Sequence, residues 1–263
     1  MKSHMRALLV SCSFRHLQSG SGLSCILVLS GISRIQITKL YLISRKSENY
    51  WQATRDSERE VAIRGGKKLI MIDKLLLGNY KFRESDFSPN IDHYRELASS
   101  QHPSVLWIGC SDSRLQTGHI TQAKAGELFI QRNIGNIVPV HDWNFATVLE
   151  YAVVHLKVED VVICGHSNCG AIRALDKEST DSYIPLWLNN AREAKVRVDK
   201  TISPPVTPLE KEERYRQIEK ENVRLQMEHI YTYPLLKKAV DKKRVEVHGL
   251  YYDLENGALT RIT

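Results

Sequence analysis

Asp160-Val-Val-Ile-Cys-Gly-His-Ser-Asn-Cys-Gly170 decides how the rest of the chain is read. After Asp160 comes a short apolar run rich in β-branched side chains, the pattern of a buried strand. It leads straight into Gly165-His166, and from Asn168 to Leu175 the residues open a helix. Working outward, Val105-Leu-Trp-Ile-Gly reads as an earlier strand ending at Cys110, and Glu127-Leu-Phe-Ile-Gln-Arg as another. Val245-Glu-Val-His-Gly-Leu-Tyr-Tyr reads as a late strand, and Asn256-Gly257 turns the chain into a short final one. Apolar residues recur at helical spacing over 70–83, 89–98, 143–156 and 183–199, and a charged helix fills roughly 209–232. Within 143–156, Val148, Leu149, Ala152, Val153 and Leu156 share one broad apolar face. Strands alternating with helices predict an α/β fold, with a central, mostly parallel sheet flanked by helices and extended by the late strands.

The composition of the 263 residues, 42% hydrophobic and 25% charged, is that of a globular chain able to bury a core without staples. It excludes collagen, low-complexity disorder and a disulfide-dense scaffold. The net charge of +7 suggests nucleic acid until it is located. Seven of the 37 Lys and Arg residues fall in the first 46 positions, which hold no Asp or Glu, so the remainder carries thirty of each sign. A phosphate-binding footprint needs cations clustered on the folded unit, so nucleic acid is not an expected partner. Nor is a membrane, because the longest apolar stretch of the basic segment, Cys25 to Leu29, is far too short to span one. Residues 1–70 are therefore expected to be a leader outside the catalytic domain, resembling a transit peptide or preceding a true start at Met71. The domain is expected over 71–263, cytoplasmic, or organellar if the leader is genuine.

Of five cysteines, Cys12 and Cys25 lie in that leader, and Cys164 sits inside a strand as a small apolar residue. Cys110 and His166-x-x-Cys169 remain, each at the carboxyl end of an expected strand. Open α/β sheets bind ligands at that end. If the two strands are neighbours, two thiolates and an imidazole face one crevice, a three-ligand zinc site with one position left for water. Cys110-Ser-Asp-Ser-Arg114 adds a carboxylate and a guanidinium beside it. An Asp paired with Arg stays ionised and can only accept hydrogen bonds, so Asp112 is expected to accept one from zinc-bound hydroxide.

Two rival motifs fail. Gly165-His-Ser-Asn-Cys-Gly170 follows a strand as a nucleophile elbow does, but Cys169 stands where the strained turn needs Gly. A Cys–His nucleophile pair would use one cysteine and leave the other without a role.

Cys110-Ser-Asp-Ser-Arg114, Arg132-Asn-Ile, Glu150-Tyr-Ala-Val-Val-His-Leu-Lys-Val, Gly165-His-Ser-Asn-Cys-Gly170 and Gly249-Leu-Tyr-Tyr-Asp together resemble the β-class carbonic anhydrases, over about Ile72 to Ile262. The resemblance implies one zinc ion per chain on Cys110, His166 and Cys169, with Asp112 and Arg114 as the catalytic dyad. It implies reversible hydration of carbon dioxide to bicarbonate by zinc hydroxide. From the plant-like branch it implies a substrate pocket, in which Gln101 donates to bicarbonate and Phe129, Ile134 and Tyr151 form an apolar wall. Gly170 would leave room beside the metal, and Ile134 replaces a more usual Val. Homodimers or homotetramers are implied, paired through the N-terminal helices, with pocket residues near the interface.

The same site could serve carbon disulfide or carbonyl sulfide, or a zinc-stabilised sensing module without turnover. Asp112, Arg114 and Gln101 together speak against the sensor, because structural zinc normally fills its fourth position with protein. Two thiolates cancel the metal's charge, so activity is expected to rise toward alkaline pH. Some bacterial members bind bicarbonate at a regulatory Trp, Arg and Tyr. Trp107 and Arg132 match the first two, but Glu228 stands in place of the Tyr, so that inhibition is expected to be missing.

Overall fold

A computed structural model describes residues 70–262, and the leader expected over 1–70 lies outside them but for Ile70. The chain divides into two compact units between Phe82 and Arg83. Within the first, the described part is one helix, α1 (Met71–Phe82), on which Met71, Ile72, Leu75 and Leu76 are exposed.

The second unit is built on a five-stranded sheet of β1 (Val105–Cys110), β2 (Leu128–Asn133), β3 (Asp160–His166), β4 (Glu246–Tyr252) and β5 (Leu259–Ile262). Their order is β2-β1-β3-β4-β5; the first four are parallel and β5 returns antiparallel to β4. β1 and β3 are neighbours, as the shared crevice requires, with Gly109 opposite Cys164. The strands match the expected ones to within one or two residues.

The helices of this unit are α2 (Ile91–Ser99), α3 (Thr117–Thr121), α4 (Trp143–Glu150), α5 (Gly170–Ala174), α6 (Ile184–Asp199), α7 (Pro208–Ile230) and α8 (Pro234–Asp241). Local chemistry sets their starts. Asp142 accepts the Phe145 N–H ahead of α4. Thr207 and Glu210 exchange hydrogen bonds in a capping box ahead of α7, with Pro208 in its first turn. The helix expected over 143–156 is α-helical only to Glu150 and finishes as a π turn, Tyr151–Leu156. The wider turn shifts the helical register, so that Ala152 and Val153 are buried while Tyr151 faces out. α8 has no counterpart in the sequence reading: at eight residues it is shorter than the window in which helical spacing is read.

Alternation along the strands divides the core. Leu106, Ile108, Val161 and Ile163 pack with Phe145, Leu149, Val223 and Leu236 of α4, α7 and α8. Trp107, Val162 and Cys164 point the other way. Two glycines let α7 lie close on the sheet. A Cβ on Gly165 would come within 2.6 Å of Val223, and one on Gly249 within 2.6 Å of the Met227 sulfur. Among the described residues no helix is long and apolar enough to cross a membrane.

Candidate metal centre

Cys110 closes β1, His166 closes β3 and Cys169 follows one turn later, so neighbouring strands deliver all three side chains to one point. Each is 5% exposed or less. Their ligand atoms, two sulfurs and one ring nitrogen, all lie within 4.8 Å of one another. His166 Nδ1 is 2.9 Å from the Ser167 carbonyl and donates to it, which leaves the lone pair on Nε2. Nε2 is buried and has no hydrogen-bond partner.

The electrostatics of the trio are those of a cation site. Cys110 is held down at about 4, first by the Cys169 thiol donating to it and then by His166 and the Gly135 N–H, against the opposing effect of burial. Cys169 is pushed far up by the same shared proton and by burial. Burial disfavours the imidazolium, yet the charge of Cys110 and the Ser167 carbonyl raise His166 on balance. A dication bound by the trio would replace the proton that the two thiols share. An orphaned imidazole nitrogen, two sulfurs and deep burial fit zinc, for which this donor set is well suited.

Beside the trio, Asp112 and Arg114 form a two-bond pair: Nε donates to Oδ1 at 2.9 Å and Nη2 to Oδ2 at 2.7 Å. The guanidinium holds the Asp112 carboxyl well below the usual carboxylate range. Arg114 Nη2 also donates to the Asn168 carbonyl at 3.0 Å, which ties the pair to the loop of Cys169. Arg132 fastens the same segment, donating to the carbonyls of Cys110 at 2.9 Å and Asp112 at 2.7 Å. Glu228 makes two 2.7 Å bonds to Arg197, so neither Arg132 nor Glu228 is free of a partner at the expected regulatory position.

The expected pocket residues separate into two groups. Ile134 follows β2 at the metal end, and Gly170 opens α5, with open space where a Cβ would stand. Phe129, in contrast, pairs with Leu106, four residues before Cys110. At ~3.3 Å per residue that is about 13 Å back along the strand. Tyr151 packs against Phe129 with ring centroids 5.9 Å apart. Gln101 is exposed in the segment leading into β1, at the end opposite Cys110. Phe129 and Tyr151 are therefore brought to each other and not to the trio of their own chain.

The sequence reading missed three residues. Glu219, Asn222 and Gln226, all on α7, are 2% exposed or less. Glu219 accepts the Cys169 N–H, Asn222 donates to the Gly135 carbonyl, and Gln226 accepts the Val138 N–H. They hold from behind the two loops that reach the centre. Their signal was present in the spacing: with Tyr215, Ile218, Val223 and Ile230 they share the buried stripe of a helix otherwise read as merely charged.

Known proteins agree with this geometry. The family model of the carbonic anhydrases matches residues 105–259. The carbonic anhydrase of Synechocystis sp. is 34% identical over 193 residues, 71% of this chain and 69% of that one. One of the tetrameric β-carbonic anhydrases of Sordaria macrospora superposes with a TM-score of 0.68 at 31% identity, over 73% of this chain and 96% of that one. The Coccomyxa β-carbonic anhydrase, solved with acetazolamide, also gives 0.68, at 28% identity over 74% and 87%. Cysteine and histidine ligands at the carboxyl ends of neighbouring parallel strands therefore have a family to go with them: this chain belongs to the β-class carbonic anhydrases, zinc enzymes that interconvert carbon dioxide and bicarbonate.

Proposed function

We propose that Asp112 and Arg114 are the dyad that orients the nucleophile in carbon dioxide hydration at this centre, and that a second copy of the chain completes its apolar wall. The carrying observation is the two-bond pair between them, which engages both Asp112 oxygens. A carboxylate committed in this way is not drawn onto the metal, and it remains ionised, able only to accept. Cys110, His166 and Cys169 would hold zinc, which when bound would supply the Lewis acidity that makes water acidic and nucleophilic near neutral pH. Asp112 would accept a hydrogen bond from the O–H of the nucleophile, and so turn an oxygen lone pair toward the carbon of the substrate. Arg114 holds Asp112, and Arg132 holds the backbone that carries it.

Ile134 and Gly170 border the centre from its own chain. Gln101, Phe129 and Tyr151 are too far from it to serve their own zinc and are assigned to the centre of the partner, where Gln101 would stabilise charge on a substrate oxygen. The tetrameric state of the Sordaria macrospora relatives supports an assembly in which such sharing occurs.

Stopped-flow hydration by the zinc-quantified protein tests the dyad. Arg114→Ala should lower turnover by about two orders of magnitude, the scale of a misplacement of about 1 Å, with zinc retained. Turnover equal to the parent's would remove the dyad from the mechanism.

A further inference from the structure

The peptide joining Asn168 to Cys169 is held at both of its polar edges. Its carbonyl accepts from Arg114 Nη2 at 3.0 Å, and its N–H donates to Glu219 Oε1 at 2.8 Å. Asn168 has φ +57, a left-handed conformation that a residue with a side chain adopts only at some cost. Cys169 follows directly on that strained residue, so the two hydrogen bonds fix the orientation of the backbone from which its thiol projects.

Glu219 is 2% exposed, and its second oxygen accepts from the Tyr251 hydroxyl at 2.7 Å. The core does not require an acid at this position. A buried carboxylate carries a large desolvation penalty, and its stripe neighbours Tyr215, Ile218 and Val223 show that apolar side chains pack there. An apolar residue would, however, leave the Cys169 N–H and the Tyr251 hydroxyl buried without an acceptor. Gly165 allows the approach, since a Cβ there would meet the Glu219 carbonyl at 3.4 Å as well as Val223.

We propose that Glu219 is a positioning residue of the metal centre, fixing the Asn168–Cys169 peptide so that the Cys169 thiolate points at zinc and the Asn168 carbonyl stays on Arg114. The zinc half of this stands on the ligand trio alone. The Arg114 half rests on the dyad reading above.

The test uses the full-length zinc protein and three variants. Glu219→Met removes both acceptor oxygens, Glu219→Asp keeps the charge but is one methylene too short to reach, and Glu219→Gln keeps an oxygen for the Cys169 N–H. Zinc retention is measured by chelator competition, and the thiolate-to-metal absorption is recorded on the cobalt-substituted proteins. Glu219→Met and Glu219→Asp should lose zinc about 10- to 100-fold more readily, the usual effect of removing a group that orients a ligand, with a shifted cobalt spectrum. Glu219→Gln should remain close to the parent in both. The proposal is overturned if the Met and Asp variants keep parental retention and spectra, or if they only melt earlier with the spectrum unchanged. Should Glu219→Met fail to fold, Glu219→Asp decides alone. Failure of the dyad reading is seen separately, as parental turnover in Arg114→Ala, and leaves the zinc-retention result standing.

Discussion

Cys110, His166 and Cys169 are buried to 5% exposure or less, whereas the aromatic pair expected to face them includes Tyr151 at 43%. The first group is complete within one chain, because adjacent parallel strands end side by side and deliver their last residues to a single point. In the second group Phe129 lies about 13 Å back along β2 at the ~3.3 Å rise of a strand, and Tyr151, packed on it, is open on one side. A buried polar centre is self-sufficient when every ligand has a partner or a metal. A half-exposed aromatic pair is an apolar surface that gains by being covered. It is this contrast that carries the proposal of a pocket divided between two copies.

The harshest way to break the comparison is to remove the self-contained half. His166→Ala should abolish zinc binding and bring hydration down to the uncatalysed background, measured by metal analysis and stopped flow. Retained zinc with measurable turnover would mean that the ligand trio is wrong.

A sharper test mixes two damaged copies. The His166→Ala chain lacks its metal but keeps its aromatic pair, while the Tyr151→Ala chain keeps its metal. If aromatic walls are exchanged between copies, co-refolding equal amounts should recover about a quarter of parental activity, because half of randomly formed pairs are mixed and each mixed pair holds one complete centre. No gain over the separate variants would place the wall within its own chain.

The smallest effect concerns protons. Arg114 holds Asp112 well below the ordinary carboxylate range. A depressed folded value adds stability above the unfolded value, about pH 4, and that stability is lost as pH falls through the folded value. A carboxylate-resolved NMR titration of the metal-free protein should find Asp112 ionised throughout the ordinary carboxylate range, and Arg114→Ala should return its titration toward pH 4. An Asp112 that titrates ordinarily in the parent would remove the ion pair from solution.

How legible each half was in the sequence follows from the same contrast. Strand periodicity with Cys110 and His166-x-x-Cys169 at strand ends sufficed to predict the metal trio, because a parallel sheet converts a position along a strand into a position in space. Asp112 and Arg114 were legible because both belong to the loop that Cys110 begins. The holders on α7 were not read. Glu219 is fifty positions from Cys169, and a charged residue on a charged helix resembles solvent-facing surface until its burial is known. The π turn after Glu150 was equally hidden, since it changes helical register without changing composition.

The sequence by itself determined the alternation of strands and helices, the identity of the ligands and the sign of the charge beside them, since these depend on residue type and local spacing. Tertiary structure alone decided that β1 adjoins β3, that Glu219 and Arg114 hold the two edges of one peptide, and that the aromatic pair lies away from its own metal. The physical reason is range. Periodicity and capping act over a few residues, whereas a buried carboxylate finds its partners only after two glycines have let a helix settle on the sheet.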